Sequence, residues 1–106
     1  VNVISRKKLR AFYEGTGERR QHAAAFEAWF KLARKARWSS FQDVRALFGH
    51  ADVARDTASR RTATIFDIGG NKFRIITLID YVHQAVLITH VLTHAEYDRN
   101  KWKNDI

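Results

Sequence analysis

The sequence predicts an α+β domain: helices packed on one face of a small, antiparallel-rich sheet, in the order β-α-α-(α)-β-β-β with a terminal helical turn. Apolar residues recur at helical spacing through the first half of the chain and in extended runs from Thr62 to Leu92. The two periods meet at one polar stretch, so the helices precede the main strands. At 106 residues, 45% of them hydrophobic and none of them cysteine, the chain carries the core of one domain, 1–106, without a disulfide framework.

Val1-Asn2-Val3-Ile4 reads as a short alternating strand. Ser5 stands at the N-cap of a helix that carries Leu9, Phe12 and Tyr13 on one face and ends near Gly15 and Gly17. A second helix runs from about Arg20 to Ala36. Phe26, Trp29, Phe30 and Ala33 give it an apolar stripe, and Lys31, Arg34, Lys35 and Arg37 a basic face with no acid between Glu27 and Asp43. Ser40-Phe41-Gln42-Asp43 has the form of a capping box; Val44, Leu47 and Phe48 continue a short helix, and Gly49 stops it. Asp52 to Arg61 is polar and unpatterned, hence a loop.

Ala63–Ile68 is then a strand, Gly69-Gly70 a two-residue hairpin turn, and Lys72–Tyr81 a second strand. Ile75, Ile76, Leu78 and Ile79 are apolar on both parities, which makes that strand central and covered on both faces. Val82–Gln84 turns the chain into Ala85–Leu92. Thr93-His94-Ala95-Glu96 is a second capping box and starts a helical turn, followed by a basic tail from Arg99 to Ile106 that contains Trp102.

Nineteen Lys and Arg against eleven Asp and Glu leave a formal charge of +8. That excess suits a polyanion or an acidic protein as partner, with solubility as the plain alternative. No stretch approaches the roughly 18 apolar residues of a membrane span. The basic start Arg6-Lys7-Lys8 leads into no signal-peptide core, so no membrane and a cytoplasmic location are expected. The absence of cysteine excludes a thiol nucleophile and thiolate metal sites. Asp67, Asp80, Glu96 and Asp98 show no metal-ligand spacing, and the second capping box separates His90, in a strand, from His94, on the turn. No metal and no cofactor is expected.

Four stretches carry a resemblance: Val3-Ile4-Ser5-Arg6-Lys7-Lys8-Leu9, Trp38 through Phe48, Phe66-Asp67-Ile68-Gly69-Gly70-Asn71-Lys72-Phe73-Arg74, and Val91-Leu92-Thr93-His94-Ala95-Glu96-Tyr97-Asp98. With them the chain resembles the HigB toxins of the wider RelE/ParE-like superfamily. The resemblance implies a RelE-like fold and an mRNA interferase that cuts translated messenger RNA on the ribosome. It also implies a cognate HigA-type antitoxin with a helix-turn-helix domain. The loops Gly15–Arg20 and Arg55–Arg61 depart from the pattern.

RNA cleavage without metal needs a base for the 2′-hydroxyl, an acid for the leaving 5′-oxygen and positive charge on the phosphate. Arg74 interrupts an apolar strand and is the candidate cation for the scissile phosphate; an ion pair with Asp67 or Asp80 is the structural alternative. Lys72 is expected on the same face. His94 and Tyr97 lie three apart on the turn and supply an imidazole and a phenol. His90 is a further candidate acid or base, or a core histidine. Lys101, Trp102 and Lys103 interleave cations with an aromatic, as RNA stacking sites do, or dock a terminus. Lys31, Arg34 and Lys35 are candidates for ribosomal RNA phosphates or for an acidic antitoxin. The alternatives to a ribonuclease are a non-catalytic basic RNA- or protein-binding module and a ParE-like toxin acting on DNA gyrase.

Overall fold

The stripe Leu9, Phe12, Tyr13 folds as a helix, α1 (Arg6–Tyr13), with all three side chains buried. The computed structural model describes residues 1–15 and 17–106; Thr16, in the expected loop after this helix, lies outside them. Ser5 occupies the N-cap position, but with a left-handed backbone (φ 73°) and no side-chain hydrogen bond. Its place is as expected; its capping chemistry is not.

The expected long helix is two helices, α2 (Glu18–Gln21) and α3 (Ala23–Lys35). The break falls at His22, whose backbone leaves helical values (φ −100°, ψ 9°). Its Nδ1 reaches the Glu18 carbonyl at 2.8 Å and its ring packs edge-on to Phe73 at 5.2 Å. A tertiary contact thus overrides helical periodicity. The helix expected third, α4 (Phe41–Leu47), forms without its capping box: Ser40 makes no side-chain cap bond, and the Asp43 carboxylate accepts the Ser39 N–H at 2.8 Å instead.

The sheet has five strands in the order β1-β5-β4-β3-β2: β1 (Asn2–Ile4), β2 (Asp52–Ala54), β3 (Ala63–Ile68), β4 (Phe73–Asp80) and β5 (Ala85–Thr93). Only β1 runs parallel to its neighbour, β5. The expected loop from Asp52 therefore contains a strand, an edge of three residues paired antiparallel to β3 and too short to show a period. The expected two-residue turn is also longer. Ile68 pairs with Phe73, so Gly69 to Lys72 all lie in the connection and β4 begins at Phe73. Both glycines adopt positive φ (67° and 70°), where a side chain would be strained.

Central β4 is covered on both faces, as its apolar pattern predicts. On one side α1 and α3 bring Leu9, Phe26 and Ala33 onto Ile75, Val86 and Ile88, all fully buried. On the other, Ala63, Ile65 and Ile76 are sealed by Trp102 from a terminal 3-10 turn (Lys101–Asp105). The helix before that turn, α5 (His94–Asp98), begins with the expected capping box. Thr93 Oγ1 accepts the Glu96 N–H at 3.2 Å, and Glu96 accepts the Thr93 N–H at 2.9 Å. Among the described residues no helix is long and apolar enough to cross a membrane.

A register shift in β5 decides which way its last residues face. Ile76 pairs with His90 while Thr77 pairs with Ile88, leaving Thr89 as an extra residue. Below it Val86 and Ile88 face the helices; above it Val91 does. The bulge therefore turns His90 and Leu92 to the Trp102 side, where without it His90 would enter the core.

Candidate active site

On the Trp102 side of the sheet, the upper ends of β3, β4 and β5 meet α5. Asp67 stands directly across from Arg74 in the β3–β4 register. Arg74 is 6% exposed and its guanidinium is held from several sides. Nε faces Asp67 Oδ1 at 3.2 Å, Nη1 donates to the Phe73 carbonyl at 3.1 Å, and Nη2 donates to Asn71 Oδ1 and lies 3.1 Å from His94 Nδ1. The ion-pair alternative is thus realised through Asp67. Asp80, at the far end of β4, binds His83 instead.

His94 opens α5, and its backbone N–H donates to the Lys72 carbonyl at 2.8 Å, extending the β4–β5 ladder into the helix start. Its Nε2 lies 3.0 Å from Asp98 Oδ2, one helical turn on. Tyr97 completes the group: the Arg74 guanidinium carbon sits 5.1 Å from its ring centre. Burial pushes the Tyr97 phenol above its ordinary value while Arg74 pulls the other way, so the hydroxyl stays protonated through neutrality. The fold therefore brings a guanidinium, an imidazole and a phenol together, which is the set an anionic phosphate and a proton transfer require.

The remaining candidates are placed elsewhere. Lys72 leaves the strand and its ammonium pairs with Glu18, both groups half-exposed, so it does not share the Arg74 face as expected. Trp102 is 2% exposed. It stacks on Tyr97 (5.6 Å, 13°) and donates from Nε1 to the Tyr97 carbonyl, so it supports the tyrosine and offers no free face to a base. Lys103 pairs with Asp56 at 2.7 Å, while Lys101 is exposed. His90 is engaged by Thr89 Oγ1 at 3.0 Å and Asp105 at 3.2 Å, in a small cavity of about 180 Å3 that Trp102 also lines. Lys31, Arg34 and Lys35 are exposed on α3, across the sheet from Arg74. Among the described residues no three His, Asp or Glu side chains are grouped as metal ligands. A groove of about 610 Å3 between Leu78, Val82 and Leu87 holds none of these candidates.

Asp67 and Asn71 anchor the guanidinium, and Asp98 faces the imidazole. Of these three, only Asn71 has a role that the sequence did not suggest. For Asp98 the signal is its i, i+4 spacing from His94.

Comparison with known proteins finds a matching family and several relatives. The family described as HigB toxin, RelE-like toxic component of a toxin-antitoxin system, matches residues 22–100. An mRNA interferase HigB of Escherichia coli O6:H1 is 27% identical over 77 residues, 73% of this chain and 72% of the relative. An mRNA interferase HigB of Shigella flexneri is 24% identical over 98 residues, 92% of this chain and 88% of the relative.

Proposed function

Because the chain belongs to the HigB family of RelE-like toxic components of toxin–antitoxin systems, we propose that it is a ribosome-dependent endoribonuclease that cuts translated mRNA by metal-independent acid–base chemistry. Family membership implies an antitoxin partner. A HigA-type helix-turn-helix protein is the proposed one, and translation and growth are what the toxin stops. The observation that carries the reading is the contact of Arg74 with both His94 and Tyr97, 3.1 Å to the imidazole and 5.1 Å to the ring centre.

In this reaction the 2′-oxygen attacks phosphorus and the bond to the 5′-oxygen breaks. The proton lost by the 2′-hydroxyl is matched by one gained at the 5′-oxygen, so neither a redox partner nor a metal is needed for balance. Arg74 supplies positive charge to the phosphate, whose charge grows in the transition state. His94 is the proton carrier, since the two ring nitrogens of an imidazole can accept a proton and donate one. The protonated Tyr97 hydroxyl, without a hydrogen-bond partner among the described residues, donates to a phosphate oxygen. The exposed cations of α3, on the opposite face, suit ribosomal RNA, while Lys101 suits the transcript beside the site. The relatives' names, mRNA interferase, support the substrate class.

Brief induction followed by sequencing of transcript ends tests the proposal. Growth arrest with cut transcripts is expected for the native chain, and loss of both for His94→Ala at unchanged fold. A His94→Ala chain that remains fully toxic overturns the site. Arrest with DNA-damage signalling and intact transcripts overturns the ribonuclease reading in favour of gyrase.

A further inference from the structure

Arg74, His94 and Asp98 form a line of polar contacts whose hydrogens chemistry fixes. A guanidinium has donors and no acceptor. Its Nη2 lies 3.1 Å from His94 Nδ1, so Nδ1 presents a lone pair there. The one N–H of the neutral ring is then on Nε2, 3.0 Å from Asp98 Oδ2, and an ionised carboxylate can only accept. The Arg74 end selects this tautomer, and the Asp98 carboxylate, in charge-pair contact with Nε2, suits the same one.

We infer that Asp98 is a positioning residue that locks His94 as the Nε2–H tautomer, and that Arg74 caps the ring's basic nitrogen until an RNA phosphate draws the guanidinium's hydrogens away. The catalytic consequence rests on the ribonuclease reading; the tautomer does not. Arg74 has little to spare. Nη2 donates to Asn71 and His94, Nη1 to the Phe73 carbonyl, and Nε faces Asp67. A phosphate that takes an Nη2 hydrogen displaces Asn71 or His94. Where the phosphate takes the Nη2 hydrogen aimed at His94, Nδ1 is freed to accept the 2′-hydroxyl proton, and the Asp98 carboxylate beside Nε2 holds the imidazolium that forms. Without RNA the base stays masked.

Long-range 1H–15N correlation on the full chain with labelled histidine reads this directly at neutral pH. The native chain is expected to show His94 with the hydrogen on Nε2, Asp98→Ala a mixture of tautomers, and Asp98→Asn, which keeps an acceptor, the native pattern. Arg74→Met combined with Asp67→Ala, which strands no charge, is expected to move the Nδ1 resonance to that of an unbonded nitrogen. Asp98→Ala is also expected to lower kcat on the order of tenfold, with KM held within about twofold. A native Nδ1–H pattern, an unchanged tautomer in Asp98→Ala, or an unmoved Nδ1 in the Arg74 variant overturns the inference. Because the spectrum needs no turnover, a locked His94 in a chain that cuts no RNA would defeat the ribonuclease reading alone.

Discussion

Replacing Asp67 with alanine is expected to destabilise the fold by about 1–3 kcal/mol. Asp67 faces Arg74 across the β3–β4 pair at 3.2 Å, and the arginine side chain is only 7% exposed. At that distance two unit charges attract by roughly 5 kcal/mol at an effective dielectric of 20. Much of that attraction offsets the cost of desolvating the charges. Removing one partner from a fully buried pair costs about 3–5 kcal/mol, because the other charge is stranded. Here the loss is smaller. Asp67 keeps 27% exposure, and Arg74 retains the Phe73 carbonyl, Asn71 and His94. Urea unfolding measures it: with a slope of about 1–3 kcal/mol per molar, the midpoint falls by roughly 1 M. Adding Arg74→Met to Asp67→Ala removes the stranded charge and should restore part of the loss. An Asp67→Ala chain within about 0.5 kcal/mol of native, or a double variant as unstable as the sum of the singles, would refute the reasoning.

Three more outcomes follow from the same structure. Gly69→Ala meets both a positive φ and the His22 ring, 2.7 Å from where its Cβ would sit, whereas Gly70→Ala meets only the strain. Thermal unfolding should show Gly70→Ala losing about 1 kcal/mol and Gly69→Ala clearly more; equal losses would remove His22 from the loop's support. The Tyr13 hydroxyl and Arg6 hold the Glu27 carboxyl below its ordinary 4.5. A lowered folded value means Glu27 stabilises fully above that pH and loses its contribution as acid protonates it in the native state. Melting temperature against pH should accordingly fall below about pH 4.5 less steeply in Glu27→Gln than in the native chain. Lys31→Gln, Arg34→Gln and Lys35→Gln together should leave stability within about 0.5 kcal/mol and cut the salt dependence of ribosome binding by about two counterions. An unchanged salt slope would take this face out of RNA contact.

The strands from Ala63 onward, the apolar stripe of α3 and the capping box at Thr93 were legible because each is a local pattern strong enough to survive packing. The helix broke at His22 because a tertiary partner, Phe73, outcompeted the local preference, and the Ser40 box opened because a local competitor, the Ser39 N–H, took the Asp43 carboxylate. The hairpin mattered most for the site. A two-residue turn at Gly69-Gly70 would set Arg74 opposite Ile65; the longer connection sets it opposite Asp67 and leaves Asn71 free to reach it. Arg74, His94 and Tyr97 were readable as an out-of-place charge and a capped turn. The choice of Asp67 over Asp80 and the part of Asn71 were not, since register and the Thr89 bulge belong to the sheet as a whole. Trp102 looked like a stacking residue in a basic tail, and only the empty face of the sheet beneath it explains its burial.

The most direct measurement is cleavage of a defined mRNA on purified ribosomes, with the chemistry of the new ends determined. Attack by the 2′-oxygen at a site built from Arg74, His94 and Tyr97 predicts a 2′,3′-cyclic phosphate upstream and a 5′-hydroxyl downstream. It also predicts a rate falling at least about 100-fold in His94→Ala. Fragments carrying 5′-phosphates, or native cutting by the His94→Ala chain, would contradict the account.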